Sequence, residues 1–158
     1  MPKILENINT VSNFLSREQW RDKNFCRKDV TVLADTAGAK NMEVGAVLYQ
    51  NDKAGNYLEL ADAFDPALDN IAILVDERVG DDVILTDSGP SAKAWGTAGT
   101  TASLAVLVKG DAIVRKGGLF FGAAGATAIN NAVTSLEAAG IKVIDSFQGQ
   151  YQAKPLSR

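Results

Sequence analysis

The residues that could do chemistry in this chain are few, and one type is missing altogether. A glycine-rich run, Gly117-Gly118-Leu119-Phe120-Phe121-Gly122-Ala123-Ala124-Gly125, leads into a helical pattern and invites comparison with a phosphate-binding loop. Its spacing fits neither G-x-G-x-x-G nor G-x-x-x-x-G-K-[ST], no lysine follows the last glycine, and two phenylalanines fill its middle. A turn that brings the chain close to a neighbour is the favoured reading. Paired carboxylates occur at Asp62/Asp65, Asp76/Glu77 and Asp81/Asp82, in turn-like surroundings. Acid–base catalysis needs two carboxylates held in different environments within one cleft, and nothing in the sequence indicates such a cleft. Solvated loop acids are the simpler expectation, with no EF-hand pattern present. The single cysteine, Cys26, lies near Lys23, Arg27 and Lys28, cations that favour a thiolate. It has no partner for an intramolecular disulfide and no histidine to act as its base. The sequence contains no histidine at all. That removes Ser-His-Asp and Cys-His nucleophilic systems, His-ligated zinc and the commonest general base near neutral pH. We therefore expect no enzyme, no metal and no cofactor.

The elements that must position these residues follow from length and patterning. A chain of 158 residues with 46% hydrophobic and 22% charged residues suits one ordinary domain with an arm. The net charge of −3 is uneven: residues 1–40 carry +2 and the remainder −5. An acidic body argues against nucleic acid as a partner. No signal-peptide pattern opens the sequence. The uncharged stretch 117–136 has the length of a membrane span, but Thr127, Asn130, Asn131, Thr134 and Ser135 would be costly in lipid, so no membrane association is expected.

Residues 1–40 read as a polar, extended arm. Val11, Phe14 and Leu15 form an apolar patch at helical spacing, and Ser16-Arg17-Glu18-Gln19 has the form of a capping box. Trp20 and Phe25 stand in charged surroundings, either tucked onto the body or kept for a partner. Val30-Thr31-Val32-Leu33 is β-prone, an edge strand or an arm strand that pairs with another chain.

From Met42 onward the pattern is strand-rich. Val44 to Tyr49, a turn at 51–56 and Tyr57-Leu58-Glu59-Leu60 predict a hairpin. A loop or single helical turn follows at 64–70, then a buried strand at 71–75 and a short strand at 83–86. Residues 87–103 read as a long loop carrying Trp95, which either plugs the core or, as the small flanking residues suggest, anchors a subunit interface. Leu104 to Lys109, the tight turn Gly110-Asp111 and Ala112-Ile113-Val114-Arg115 predict a second hairpin. One helix follows, with Thr127 as N-cap, a face of Ile129, Val133, Leu136, Ala132 and Ala139, and Gly140 just past its end. A last strand occupies 141–144. The expected fold is α+β: a small β-rich body with hairpins and one main packed helix at 41–147, preceded by the extended arm 1–40 and followed by a tail at 148–158.

Several of these segments also resemble a known family. Arg27-Lys28-Asp29-Val30-Thr31-Val32, then Val44-Gly45-Ala46-Val47-Leu48-Tyr49 and Gly55-Asn56-Tyr57, resemble the opening of the lambda-type bacteriophage head decoration proteins. Ile71-Ala72-Ile73-Leu74, Val106-Leu107-Val108-Lys109-Gly110-Asp111-Ala112-Ile113-Val114 and Leu136-Glu137-Ala138-Ala139-Gly140-Ile141 resemble its later strands and its close. The likeness spans residues 27–145 in order. The chain departs from the family in its N-terminal extension, its longer 87–103 loop and its tail from Gln148.

The resemblance implies a capsid-stabilising virion protein, a homotrimer on the outer face of an expanded capsid, assembled in the host cytoplasm. Its partner would be the major capsid protein, engaged by an arm that orders on binding. On that reading Trp20, Phe25, Val30, Thr31, Val32 and Leu33 form the capsid-binding arm, and Trp95, Phe120 and Phe121 are interface residues between subunits. The alternatives are a small-ligand or enzymatic module built on the acidic loops and the 117–125 segment, and a tail or fibre accessory protein on the same fold.

Overall fold

The computed structural model of the chain describes residues 14–17, 26–33, 44–76, 83–86, 89–92, 101–110 and 112–145, with backbone alone at 16–17, 83–86 and 89–92. The fold is a β-rich α+β arrangement with one main helix. Ten strands are described: β1 (Leu15–Arg17), β2 (Arg27–Leu33), β3 (Val47–Gln50), β4 (Leu58–Glu59), β5 (Asn70–Leu74), β6 (Val83–Thr86), β7 (Gly89–Ala92), β8 (Thr101–Leu107), β9 (Ala112–Arg115) and β10 (Ile141–Ile144). The helix α1 is Ala126–Ala138.

Five strands form an antiparallel sheet in the order β2-β8-β5-β3-β4. β2 pairs with β8 over its full length, from Arg27 opposite Leu107 to Leu33 opposite Thr101. Directly opposed residues share a face. The register therefore sets Val30, Val32, Ala102, Leu104, Val106 and Leu74 on one face, and Val47, Ile73 and Leu107 on the other. All nine are buried. Burial of β5 on both faces explains why it reads as an unbroken apolar run rather than an alternation. Helix α1 packs on β5 and β10.

The curl nearly closes. Tyr57, just before β4, forms a parallel bridge to Val32, with Leu33 N–H donating to Tyr57 O and Tyr57 N–H donating to Thr31 O, both at 2.9 Å. The strand read at 30–33 is thus a sheet edge whose outer side is bonded at Thr31 and Leu33 within the same chain. Val30 and Val32 belong to the core, as do Phe14 and Cys26, so these four positions are not part of a detached arm. Of the helical patch read at Val11, Phe14 and Leu15, Leu15 opens β1, an edge strand on β9, Phe14 immediately precedes it, and Val11 lies outside the described residues.

The expected second hairpin is not formed. β8 stays with β2, and Val108 N–H continues that ladder to Cys26 O at 2.8 Å. At Gly110 the chain turns out of the sheet with φ +103°, a conformation open to glycine at little cost. β9 then lies between β1 (antiparallel) and β10 (parallel) in a separate three-stranded sheet. Parallel neighbours need a crossover, and α1 supplies it. The local Gly-Asp signal was compatible with a hairpin, but pairing with the distant Ile141–Ile144 segment wins.

Two further differences concern the loop and the helix. Within the stretch read as a loop at 87–103, Gly89–Ala92 pairs with β6, and β8 begins at Thr101. Helix α1 starts one residue before Thr127, with Gly125 as its N-cap and no side-chain cap. Its buried stripe is Ala128, Ala132 and Leu136, while Ile129 and Val133 are only half-buried. Alanines on the inner stripe let the helix lie close to the sheet, and the larger β-branched residues flank the contact. Gly140 does follow the helix end, with φ +91°.

A Cβ on Gly140 would lie 2.9 Å from Gly110 O, and Gly110 N–H donates to Ala139 O at 3.0 Å. The turn after the helix is therefore locked against the corner between the two sheets. Gly140→Ala should destabilise the protein by about 2 kcal/mol or more, from the left-handed backbone and the backbone clash together. Urea denaturation should show a lower midpoint.

Candidate functional site

The acidic residues of the described loops are occupied in holding those loops. Asp69 is 8% exposed; its Oδ1 accepts Asp52 N–H and its Oδ2 accepts Asp65 N–H, both at 2.9 Å. Those two bonds tie the turn after β3 to the turn before β5, and they fix Asp52 at φ +50°. Asp65 Oδ1 accepts Ala67 N–H at 2.8 Å inside its own turn. Asp76, 7% exposed, accepts Ala105 N–H at 3.1 Å where β5 and β8 diverge. The carboxylates read as solvated loop acids are in these cases caps for backbone donors. Glu77, Asp81 and Asp82 lie outside the described residues. No group of three or more His, Cys, Asp or Glu among the described residues could hold a metal ion.

The glycine-rich segment works as a fastening. Phe120 N–H donates to Gly45 O at 3.0 Å and Phe120 O accepts Val47 N–H at 2.8 Å, so the segment extends the β3 edge. Gly125 N–H, at the start of α1, donates to Asp62 Oδ1 at 2.7 Å. The donor that a phosphate would use is thus given to a carboxylate of the same chain. No helix among the described residues is long and apolar enough to cross a membrane, and α1 covers only Ala126–Ala138 of the uncharged stretch.

Of the arm residues, Thr31 is exposed, Leu33 is half-buried, and Val30 and Val32 are in the core. Trp20, Phe25 and Trp95 lie outside the described residues. Of the two phenylalanines, Phe121 packs against the core and Phe120 is 40% exposed. The backbone bonds to Gly45 and Val47 hold Phe120 in place on the surface. A large aromatic presented on a fixed backbone loses little entropy when a partner covers it.

Sequence reasoning missed a groove of about 360 Å3 at the end of the curled sheet where β2 begins. It is lined by Arg27, Lys28, Tyr57, Asn70, Ile71, Val108 and Lys109. These come from four separate stretches, and only the pairing of Arg27 with Leu107 brings the cations together. The groups beneath them are connected: Asn70 Nδ2 donates to Gln50 Oε1 at 2.8 Å, Gln50 Nε2 donates to Gly55 O at 2.7 Å, and Asn70 also bonds Tyr57. Burial pushes the Tyr57 phenol above its ordinary range, partly offset by that Asn70 bond. Burial, with the charge of Asp69, raises Tyr49 as well.

No protein-family model, no curated protein and no solved structure matches the chain.

Two expectations follow. Asp69→Ala orphans two amides and should cost about 2 kcal/mol, read as a lower urea midpoint with an unchanged slope. Both buried tyrosines hold their protons more tightly in the folded state than at the ordinary value of 10.0. The unfolded chain therefore ionises first, so folding stability should fall as pH rises past 10.0. A denaturation series through that range checks the sign.

Proposed function

We propose that this chain is a virion structural protein that binds the outer surface of an expanded phage capsid as a trimer and cements neighbouring capsid subunits. The observation that carries the reading is the ordered run of decoration-protein motifs across residues 27–145. The segments bearing those motifs fall on β2, β3, the turn before β4, β5, β8, β9 and the α1–β10 junction, and β2, β3, β5 and β8 are members of one sheet. This geometry supports a rigid body suited to a load-bearing clamp.

The proposal places the contacts away from the strand at 30–33. Thr31 O and Leu33 N–H are bonded to Tyr57, so strand addition at 30–33 would have to break bonds already made. Contact with the major capsid protein is assigned instead to the stretch that carries Trp20 and Phe25, which supply aromatic anchors. Phe120 is assigned to the contact between copies. Three arms on one trimer then act together, so that modest affinity per arm becomes tight attachment to a lattice offering three sites. Binding only the expanded lattice stabilises that lattice by mass action.

The test is co-sedimentation of the purified chain with DNA-free expanded shells that lack a decoration protein. The full chain should bind saturably, and Trp20→Ala with Phe25→Ala should weaken binding by about 10²-fold or more. Light scattering should give three times the 16.7 kDa chain mass, shifting toward monomer in Phe120→Ser. Absence of saturable binding by the full chain would overturn the proposal.

A further inference from the structure

The outer edge of β2 is covered at one end and open at the other, and the ladder to β8 fixes which groups point outward. Val108 N–H donates to Cys26 O at 2.8 Å, so these two residues form a hydrogen-bonded pair. Such pairs alternate along an antiparallel ladder. Lys28, Val30 and Val32 therefore turn their N–H and C=O groups toward β8, while Asp29, Thr31 and Leu33 turn theirs away from it. The bonds outside the ladder agree. Thr31 O and Leu33 N–H are the groups that reach Tyr57, and Ala105 O, opposite Asp29, accepts Val75 N–H on the far side of β8. Toward the start of β2 this cover stops, because the chain before Tyr57 belongs to the exposed turn at 51–56. No described residue bonds the Thr31 N–H, or the N–H and C=O of Asp29.

The groove adjoins this open stretch: Lys28, just before Asp29, and Tyr57, where the cover begins, both line it. Side chains alternate between faces along a strand. Val108 shares the face of Val106, Asn70 that of Leu74, and Tyr57 is bridged to Val32. Tyr57, Asn70 and Val108 thus form a wall on the face that holds Val30 and Val32. Tyr57 bonds Asn70, and Gln50 holds the Asn70 amide, so the polar part of that wall is fixed in place. Asp29 points to the opposite face and is exposed.

We propose that the open edge at Asp29 receives an extended segment of a protein partner by strand addition. Backbone bonds to Asp29 and to the Thr31 N–H supply the pairing, and side chains on alternate faces supply the selection. The partner residue opposite Asp29 shares its face, so a lysine or arginine fits there. The residues on either side of it turn into the groove, where short apolar side chains meet Tyr57 and Val108. A second copy of β2 is excluded as the added strand, since pairing about Asp29 would set two carboxylates opposite each other. The partner is therefore a strand of apolar–basic–apolar alternation. The site stands whether or not the virion role does.

Calorimetric titration of the full chain with the peptide acetyl-Thr-Thr-Val-Lys-Val-Thr-Thr-amide tests the assignment. Saturable binding with one site per chain is expected. Replacing the peptide lysine by glutamate should weaken binding by about five-fold or more, and Asp29→Lys should reverse that preference. Asp29 is exposed, so the variant's peptide-free melting temperature should match the parent. Methylating the backbone nitrogens of the peptide lysine and both valines removes the donors that strand addition uses and should abolish binding. No saturable heat, binding retained by the methylated peptide, or an unchanged charge preference in Asp29→Lys would overturn the proposal.

Discussion

At Gly110 the backbone leaves one sheet and enters another, and the rest of the molecule is arranged around that corner. Before it, β8 is bonded to β2 along its whole length and to β5 at its end. After it, β9 becomes the centre of a second sheet. The corner is fixed from the far side by Ala139 and Gly140, which follow the helix. One close backbone approach therefore holds two sheets and the crossover helix together. A side chain at Gly140 would meet the Gly110 carbonyl at 2.9 Å and force the layers apart.

Much of the fold was legible because its signals are local. The hairpin of β3 and β4 follows from a β-prone run, a polar turn and a second run, and Leu48 does lie opposite Glu59. The apolar run at 71–75 is β5, buried on both faces. The single helix and its terminal glycine also stand where periodicity put them. Two of the failures share one cause, competition from a distant partner. Gly110-Asp111 has the composition of a hairpin turn, but β9 finds a parallel neighbour in Ile141–Ile144. Val30 to Leu33 looks like a free strand until Tyr57 is seen to occupy its edge.

The candidate sites divide in the same way. Acidic pairs and glycine-rich runs attract attention in a sequence because catalytic and phosphate sites use them. Here Asp62, Asp65, Asp69 and Asp76 satisfy backbone amides, and the glycine-rich segment fastens the helix to the β3 edge. The groove beside β2 had no such signature. Arg27, Lys28 and Lys109 are ordinary surface residues in the sequence, and Tyr57 and Asn70 are unremarkable beside them. Only the antiparallel register and the curl of the sheet bring them to one opening.

A body with an aromatic fixed on its surface and its β2 edge bonded at Thr31 and Leu33 is suited to bearing load through contacts at its periphery. Such a body attached at capsid three-fold positions would transmit force between neighbouring subunits without rearranging. Image reconstruction of expanded shells incubated with the purified chain tests this most directly. The account predicts three copies of the body around each local three-fold axis, outside the shell, with the segment between β1 and β2 running onto the capsid protein. Shells without added density, or density confined to a tail, would contradict it.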